Sequence, residues 1–364
     1  MSRLLIDSDA HVLETERTWE YLDASEQKYR PLLVSSEKEP GRSFWIVDGQ
    51  VAGLKAATLT EQVLRSKSAE LGRDLVTPEA ARGLDDVALR LRHMDELGID
   101  VQVLHNTMWI RPVTERPDTE VALCRSWNRW MADVWRESKG RLRWTCVVPT
   151  LTLDEAIGEA RFARDHGAVG ICLRAYEHDL MVTDPAFYPL FEEAVRLDLP
   201  ITVHVSNGSS DFDRLIKSRY PVQAGFVNFG LPAVATCYAL LSSEIPQLFP
   251  ALRWAFIEAS AGWIPWLLHN LHRRYGDSYP RNPFAEYGVY VTTQMDDDHA
   301  YLLDYVGEDV LLIGTDYGHS DVSSEVDALR LFRKLDTIPE SAKDKVLSIN
   351  PGRLYGISHE SKSA

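Results

Sequence analysis

The chain has 364 residues, of which 45% are hydrophobic and 26% are charged, a balance typical of a folded globular protein and not of a disordered one. Its formal net charge of −15 repels a phosphate backbone, which argues against nucleic acid as a partner. The apolar run at the start is too short for a signal peptide, and no apolar stretch is long enough to cross a bilayer, so we expect a cytoplasmic protein without a membrane partner.

Short β-branched runs alternate with longer amphipathic segments, and this alternation predicts eight strands that are each followed by a helix. The predicted strands are Leu4 to Ile6, Ile99 to Asn106, Leu142 to Pro149, Val169 to Ala175, Pro200 to Val205, Arg253 to Ala259, Val289 to Gln294 and Val310 to Asp316. The predicted helices are Asp85 to Leu97, Thr119 to Ser138, Leu153 to His166, Tyr188 to Leu197, the region Pro221 to Gln247, Ile264 to Tyr275, Asp298 to Tyr305 and Ser323 to Lys334. Apolar strands separated by helices are what a parallel barrel requires, so the predicted fold is α/β, a (β/α)8 TIM barrel.

The segment 15–83 separates the first strand from its helix and is much longer than an ordinary βα loop. It contains a hairpin pattern with its turn at Asp48-Gly49. We expect this long insertion after strand 1 to serve either as a lid over the site or as a subunit contact, and either use exposes Phe44 and Trp45. The barrel is expected to occupy residues 1–357 as a single domain, followed by a disordered tail at 358–364.

Ligand-type side chains follow the ends of several predicted strands. Asp9 and His11 end strand 1, and they can point the same way because alternate residues of a strand share a face. His204 ends strand 5 and Asp316 ends strand 8. A barrel gathers the carboxyl ends of its strands on one rim, so two imidazoles and two carboxylates converge there, a set that suits zinc, manganese or iron. Each residue taken singly could instead be a helix cap or a core histidine.

In order and spacing, these residues resemble the amidohydrolase superfamily, in particular its aminocarboxymuconate-semialdehyde decarboxylase-like branch, amidohydrolase family 2. The segment His93 to Asp100 and the tail Asn350 to Ile357 carry further similarity, and the resemblance covers the chain apart from the insertion. It implies a metal-dependent TIM barrel whose ion is held by Asp9, His11, His204 and Asp316. The branch includes nonoxidative decarboxylases, hydrolases and hydratases that act on small carboxylated molecules.

The chain departs from this family pattern at two positions. The decarboxylases carry a histidine after strand 6 as acid or base, whereas this chain has Glu258. The dinuclear hydrolases of the superfamily carry a carbamylated lysine on strand 4, whereas this strand ends Leu173-Arg174-Ala175. Neither catalytic apparatus is therefore complete.

An excess of acidic groups on the rim suggests a second metal ion. Glu14 follows strand 1, Glu258 ends strand 6 and His319 follows Asp316. Four ionised carboxylates around one divalent ion would leave about two negative charges uncompensated in a poorly solvated pocket. We therefore hypothesise a second site formed by Glu14, Glu258 and His319. The alternatives are that Glu14 caps a helix, that His319 orders Asp316, and that Glu258 is a lone general acid with a raised pKa.

The function predicted from this mixture is a monooxygenase with a dinuclear nonheme iron or mixed manganese and iron site that hydroxylates a small organic substrate, with Glu258 and His319 as catalytic residues. The opening Asp-x-Asp-x-His-x-x-Glu and the strand-6 glutamate resemble dinuclear iron oxygenases on the amidohydrolase fold. The alternative is a redox-silent hydrolase or nonoxidative decarboxylase with one zinc or manganese ion, in which Glu258 moves a proton. A third reading is a noncatalytic subunit that keeps only part of the metal site.

Four further residues at strand ends are predicted to contact the substrate: His105, Asn106, Arg174 and Gln294. Arg174 could anchor a substrate carboxylate or pair with a carboxylate of the rim. The chain has no GxSxG elbow and no GxGxxG after a strand, so neither a serine triad nor a dinucleotide cofactor is expected. The expected partners are a small-molecule substrate and either further copies of the chain or a related subunit.

Overall fold

A parallel sheet of eight strands forms the centre of the protein. The computed structural model describes residues 3–35, 37, 43–55, 60–216 and 225–358. Strands that are neighbours in the chain pair in parallel all along the sheet, so the predicted TIM barrel is confirmed. The strands are β1 (Ile6–His11), β2 (Val101–His105), β3 (Leu142–Val147), β4 (Ala168–Leu173), β5 (Ile201–His204), β6 (Trp254–Ile257), β7 (Val289–Thr293) and β8 (Leu311–Ile313).

The barrel closes between β1 and the residues that follow β8. The main-chain N–H of His11 donates to the oxygen of Tyr317 at 2.8 Å, and Ala10 forms a parallel bridge with Tyr317. β1 is longer than the predicted Leu4 to Ile6 because its polar residues are satisfied inside the protein. The carboxylate of Asp7 accepts hydrogen bonds from Gln102 Nε2 and from Thr315 N, both at 2.9 Å.

Helices surround the barrel in the predicted order. The α-helices are Glu61–Leu71, Glu79–Arg82, Val87–Leu97, Pro117–Glu137, Leu153–Asp165, Tyr188–Arg196, Ser210–Ile216, Leu231–Leu241, Ile245–Leu248, Ile264–Tyr275, Pro283–Glu286, His299–Val306, Ala328–Arg333, Glu340–Asp344 and Asn350–Tyr355. Shorter 3-10 turns cover Glu16–Tyr21, Ala24–Tyr29, Met108–Ile110, Pro185–Phe187 and Gly276–Ser278, and π turns cover Gly225–Gly230 and Lys345–Ile349. Among the described helices, none is both long and apolar enough to span a membrane.

Two predicted helices differ from the observed ones. The region predicted from Pro221 to Gln247 is divided into a π turn and two helices, and residues 221–224 lie outside the described residues. The helix predicted from Ser323 begins at Ala328, because Ser323 and Ser324 turn their hydroxyls toward acidic side chains of the rim.

The insertion contains an antiparallel sheet of three strands, Leu32–Ser35, Ser43–Val47 and Gln50–Lys55. Its hairpin turns at Asp48-Gly49 as predicted, and both residues have positive φ, 49° and 78°. The expectation that Trp45 is exposed is wrong, because its indole is buried against that of Trp19, with ring centroids 5.7 Å apart. The insertion also bonds to the helix Pro117–Glu137, where Ser126 Oγ donates to the main-chain oxygen of Thr18 at 2.6 Å.

The end of the barrel away from the rim is covered by the C-terminal helix Asn350–Tyr355. Tyr355 and Leu354 lie in one buried cluster with strand residues such as Ile6 and Leu312. Arg253, just before β6, donates to the main-chain oxygen of Leu354 at 3.0 Å, which places this helix at the amino ends of the strands. The polar carboxyl ends therefore face the other way. Residues 359–364, nearly all of the tail predicted to be disordered, lie outside the described residues.

Candidate metal centre

Six of the seven predicted ligand side chains meet at the carboxyl ends of β1, β5, β6 and β8. The donor atoms of Asp9, His11 and His204 lie within 4.8 Å of one another, and so do those of His11, Glu258, Asp316 and His319. His11 belongs to both groups, so the two form one continuous cluster. Glu14, the seventh predicted ligand, is not part of it.

Three buried atoms of this cluster have no hydrogen-bond partner among the described residues: Asp9 Oδ1, His11 Nε2 and His204 Nε2. Asp9 Oδ1 lies 3.5 Å from each of the two ring nitrogens, and Asp316 Oδ1, which also contacts His319, lies 3.5 Å from His11 Nε2. Ligands at about 2.1 Å from a tetrahedral ion are about 3.4 Å from one another. Because buried polar atoms normally have partners, Asp9, His11 and His204 fit one divalent metal ion, and Asp316 lies beside them as the fourth candidate ligand.

The histidine ring of β1 is held in the orientation that a ligand needs. His11 Nδ1 lies 3.0 Å from the main-chain oxygen of Asn106, which can only accept a hydrogen bond. The proton of the neutral ring therefore sits on Nδ1, and the lone pair of Nε2 faces the cluster. Asn106 was predicted to contact substrate, whereas its main-chain oxygen orients this ring.

Two carboxylate residues of the cluster adopt an unusual backbone. Glu258 has a φ of 64° and Asp316 has a φ of 50°, in the left-handed region that residues other than glycine rarely adopt. Glu258 directly follows Ile257, the last residue of β6, and Asp316 lies three residues beyond Ile313, the last residue of β8, so both bends lie at the rim. Such backbone strain persists only where the surroundings enforce it, and it is common at functional sites.

Burial and mutual repulsion control the charges of the acidic groups. Burial and the neighbouring Asp316 raise the pKa of Glu258 well above its usual range. Burial also raises the pKa of Asp316 to about 6, although His319 acts in the opposite direction. Burial would raise the pKa of Asp9 as well, but His11 and His204 outweigh it and hold that pKa well below its usual range. A cation in the middle would stabilise all three carboxylates.

His319 is engaged at both ring nitrogens. Its Nδ1 lies 2.8 Å from Asp316 Oδ1, and its Nε2 lies 3.0 Å from Thr107 Oγ1. The Thr107 hydroxyl donates to the main-chain oxygen of Val12 at 3.0 Å, so it must accept from His319. Burial alone would lower the pKa of His319, but Asp316 raises it to about 9. The geometry thus fits the alternative in which His319 orders Asp316. It does not favour His319 as a ligand of a second metal ion.

Glu14 is directed away from the cluster. Its Oε1 accepts from Thr107 N at 3.2 Å and from Trp127 Nε1 at 3.0 Å, and its Oε2 accepts from Met108 N at 3.0 Å. Burial raises the pKa of this carboxyl to about 7. The hypothetical second site of Glu14, Glu258 and His319 is therefore not assembled. N–H groups surround the carboxylate of Glu14, so it does not need the cation that the sequence analysis assigned to it.

A cleft of about 550 Å³ opens beside the cluster. Its walls combine the polar residues of the rim with an apolar surface made by Trp109, Ile110, Val147, Val148 and Leu173. Of the residues predicted to contact substrate, Asn106 and Arg174 line this cleft. Gln294 lies behind Glu258, where its Nε2 donates to the main-chain oxygen of Glu258 at 3.3 Å.

The other predicted substrate contact, His105, is a fully buried residue. Its Nδ1 lies 3.1 Å from Thr145 Oγ1 and its Nε2 lies 3.4 Å from the main-chain oxygen of Ser8. Burial lowers the pKa of His105 to about 3, so the ring is neutral. The prediction of a substrate contact is thus not supported, since both nitrogens face the protein interior.

Arg174 shows one of the two alternatives considered for it, the pairing with a carboxylate. Its guanidinium pairs with Glu177 and donates from Nη1 to the main-chain oxygen of Trp109 at 3.2 Å. Its Nε has no hydrogen-bond partner among the described residues, but this atom is fully buried. The side chain lines the cleft, so it places a positive charge at the wall.

Two serines missed by the sequence analysis contact the cluster. Ser324 Oγ donates to Asp316 Oδ2 at 2.6 Å, and Ser323 Oγ donates to Glu258 Oε1 at 2.8 Å. Asp321 also lines the cleft and was not predicted. Their closeness in sequence to Asp316 could have identified the two serines, but the sequence pattern predicts a helix there.

Comparison with known proteins agrees with the fold and identifies the family. A family model described as amidohydrolase matches residues 6–357. The chain is 23% identical over 286 residues to a 2-amino-3-carboxymuconate-6-semialdehyde decarboxylase from Dictyostelium discoideum, covering 75% of this chain and 77% of that protein.

Two solved structures show the same barrel. The 5-carboxyvanillate decarboxylase from Sphingomonas paucimobilis superposes with a TM-score of 0.67 at 19% identity, covering 98% of this chain and 100% of that one. A dihydroxybenzoic acid decarboxylase from Polaromonas sp. JS666, solved with bound manganese and the inhibitor 2-nitroresorcinol, gives a TM-score of 0.66 at 18% identity, and each chain is covered at 100%.

These comparisons correct the predicted chemistry. The proteins named above are decarboxylases, which are lyases and not oxidoreductases. The preference for an iron monooxygenase is therefore wrong, and the decarboxylase alternative is the better supported one. The error came from counting carboxylates on the rim without knowing that N–H donors surround Glu14.

Proposed function

This chain belongs to the amidohydrolase family, and on that premise we propose that it is a metal-dependent, nonoxidative decarboxylase of a small carboxylated molecule. The observation that carries the proposal is the set of three buried, unpartnered atoms, Asp9 Oδ1, His11 Nε2 and His204 Nε2, next to Glu258. The activities of the decarboxylases named above support this choice of reaction.

One divalent ion would be held by Asp9, His11, His204 and Asp316, whose two carboxylates balance its charge. The manganese in the Polaromonas decarboxylase favours manganese, and zinc is the alternative for the same donor set. Such an ion would supply a Lewis acid that binds the substrate through its oxygens and orients it.

Glu258 is placed to deliver the proton. Its Oε2 lies 3.7 Å from His11 Nε2 and 3.6 Å from His204 Nε2, while Ser323 Oγ fixes its Oε1. The carboxylic acid of Glu258 would protonate the carbon that bears the substrate carboxylate. The electron pair for this new bond to hydrogen comes from the conjugated system of the substrate. The carbon–carbon bond then breaks, its electron pair restores the conjugated system, and carbon dioxide leaves. Glu258 is left as a carboxylate and regains a proton from water.

The cleft walls fit a flat, partly apolar substrate. Trp109, Ile110 and Val148 provide surface against which a ring can pack and from which water is excluded. Arg174 is the guanidinium on this wall, and its positive charge attracts the carboxylate of a substrate. These features favour an aromatic or otherwise conjugated acid.

The test is carbon dioxide release by protein loaded with Mn²⁺, supplied in turn with 5-carboxyvanillate, 2,6-dihydroxybenzoate, 2,3-dihydroxybenzoate and 2-amino-3-carboxymuconate-6-semialdehyde. We expect release from at least one acid, dependent on added metal, without consumption of oxygen. Protein that binds one Mn²⁺ but releases carbon dioxide from none of a broad panel of conjugated acids would refute the proposal. Hydrolysis of amides or esters by the same preparation would replace it with the hydrolase alternative.

A further inference from the structure

Glu14 makes unusual contacts for a buried acid close to a metal centre. The side chain is 4% exposed, and both of its oxygens accept hydrogen bonds. Two of the three donors are consecutive main-chain N–H groups, those of Thr107 and Met108, and the third is the indole of Trp127. The carboxylate therefore holds the start of the short turn Met108–Ile110, whose first N–H groups have no partners within the turn itself.

The segment held by Glu14 contacts the cluster on both sides. Asn106 offers its main-chain oxygen to His11 Nδ1 at 3.0 Å, and Thr107 offers its hydroxyl to His319 Nε2 at 3.0 Å. The two imidazoles stack, with ring centroids 3.8 Å apart. Any shift of residues 106–108 would thus move one ligand ring and the ring that neighbours Asp316.

The strands alone do not fix this segment. β1 and β2 pair up to His11 and His105, and the last main-chain hydrogen bond between them runs from Val12 N to His105 O at 3.2 Å. Beyond that point, three contacts join the two segments: the ring of His11 to Asn106 O, Thr107 Oγ1 to Val12 O, and the carboxylate of Glu14 to the N–H groups of residues 107 and 108. Glu14 thus continues the β1–β2 connection past the end of the ladder.

We propose that Glu14 is a positioning residue that sets the geometry of the metal centre through residues 106–108. It acts on His11 through the oxygen of Asn106 and on His319 through the hydroxyl of Thr107, and it does not bind the ion. This inference rests on the metal site of the proposed function, but not on the reaction that the site catalyses.

The experiment compares the purified full-length chain with the variants Glu14→Ala and Glu14→Gln. Glu159→Gln is the matched control, because Glu159 is a buried glutamate that accepts from Asn128 Nδ2 at 2.8 Å between two outer helices. The Mn²⁺ dissociation constant is measured by electron paramagnetic resonance titration. The visible absorption of the Co²⁺-loaded proteins reports ligand geometry independently of activity.

We expect both Glu14 variants to bind Mn²⁺ about 10-fold to 100-fold more weakly and to show an altered Co²⁺ spectrum, while Glu159→Gln matches the wild type. Should Glu14→Ala fail to fold, Glu14→Gln, which keeps the shape of the side chain, gives the result. Unchanged Mn²⁺ affinity and Co²⁺ spectrum in a folded Glu14 variant would overturn the proposal, and so would equal weakening in the Glu159 control. A wild type that binds Mn²⁺ but does not decarboxylate refutes only the proposed function.

Discussion

The main-chain N–H of Asp316 donates a hydrogen bond to the main-chain oxygen of Asp9 at 2.8 Å. This bond joins the last strand to the first, so the closure of the barrel also brings two carboxylate ligands together. The same seam places His11 Nε2 3.5 Å from Asp316 Oδ1. Assembly of the metal centre therefore depends on correct closure, and variants along the seam are expected to lose metal before they lose the fold.

Asp316→Asn tests the assignment of the ligands directly. We expect the variant to lose stoichiometric Mn²⁺, because an amide is a much weaker ligand than a carboxylate. We expect it to fold, because the loss of one buried charge relieves the repulsion between residue 316 and Glu258. The measurements are metal analysis after dialysis and thermal unfolding of the metal-free protein. Asp321→Asn is the control, since Asp321 lines the cleft without belonging to the donor groups. Full metal content in Asp316→Asn would contradict the assignment.

Gly314→Ala should disturb the site through the backbone. A Cβ at residue 314 would lie 2.6 Å from Asp9 N, closer than packed atoms approach, so β1 must shift. We expect about tenfold weaker Mn²⁺ binding and a loss of about 1–3 kcal/mol in the free energy of unfolding. Gly158→Ala serves for comparison, because Gly158 lies in a helix with open space around it and alanine there should stabilise the protein slightly. Equal behaviour of the two variants would refute this explanation.

Glu258→Gln separates proton transfer from metal binding. We expect kcat for decarboxylation to fall by about 10²-fold to 10⁴-fold while one Mn²⁺ per chain is retained, because the amide cannot supply the proton. Ser323→Ala, which removes a hydroxyl shared by Glu258 Oε1, Asp316 Oδ2 and Asp321 Oδ1 but leaves the acid in place, should cost far less. The measurement is kcat together with metal analysis of each protein. A wild-type kcat in Glu258→Gln would show that another residue supplies the proton.

Arg174→Gln should affect both stability and substrate binding. The change leaves Glu177, which is 3% exposed, without its cationic partner, and we expect a loss of about 3 kcal/mol in the free energy of unfolding. The double variant Arg174→Gln, Glu177→Gln should recover stability, but KM for the acid substrate should stay raised about tenfold, because the positive charge at the cleft wall is missing. Denaturant unfolding and steady-state kinetics measure the two effects. Recovery of KM in the double variant would rule out a substrate contact.

His105 predicts a specific pH dependence of stability. Its pKa is about 3 in the folded protein, against an ordinary value of 6.5, so the unfolded chain binds the proton more tightly. The stabilisation by neutral His105 is complete above pH 6.5 and is lost progressively as the pH falls from 6.5 toward 3. Between pH 7 and pH 5 this amounts to about 2 kcal/mol.

The measurement compares urea unfolding at pH 7 and pH 5 for the wild type and His105→Gln. We expect the loss on acidification to be smaller by about 2 kcal/mol in the variant, because glutamine does not titrate in this range. The comparison cancels the pH-dependent contributions of Asp7 and Glu14 to the free energy of unfolding. Their pKa values are about 6 and about 7, so acidification stabilises the folded state through these two groups. Identical losses in the two proteins would show that His105 is not buried as a neutral ring.

The sequence alone predicted the barrel and the arrival of Asp9, His11, His204 and Asp316, the proposed ligands, at one rim. Strand-forming runs and helical patterns repeat with a regular spacing, and a closed parallel sheet brings all of its carboxyl ends to one rim, so position along a strand predicts position in space. The same rule placed Glu258 at the site. The long insertion and its hairpin turn could be identified for a related reason, because loop length and Asp48-Gly49 are local features.

Only the tertiary structure decided how the remaining polar groups are satisfied. The sequence analysis counted Glu14 as an uncompensated charge, because a sequence does not show which N–H groups reach a carboxylate. The N–H donors of residues 107, 108 and 127 belong to the end of a different strand and to an outer helix. His319 and His105 could not be assigned either, since their roles depend on hydrogen-bond partners distant in the chain. The number of metal ions inferred from the rim depended on those partners, and with it the choice between oxygen chemistry and decarboxylation.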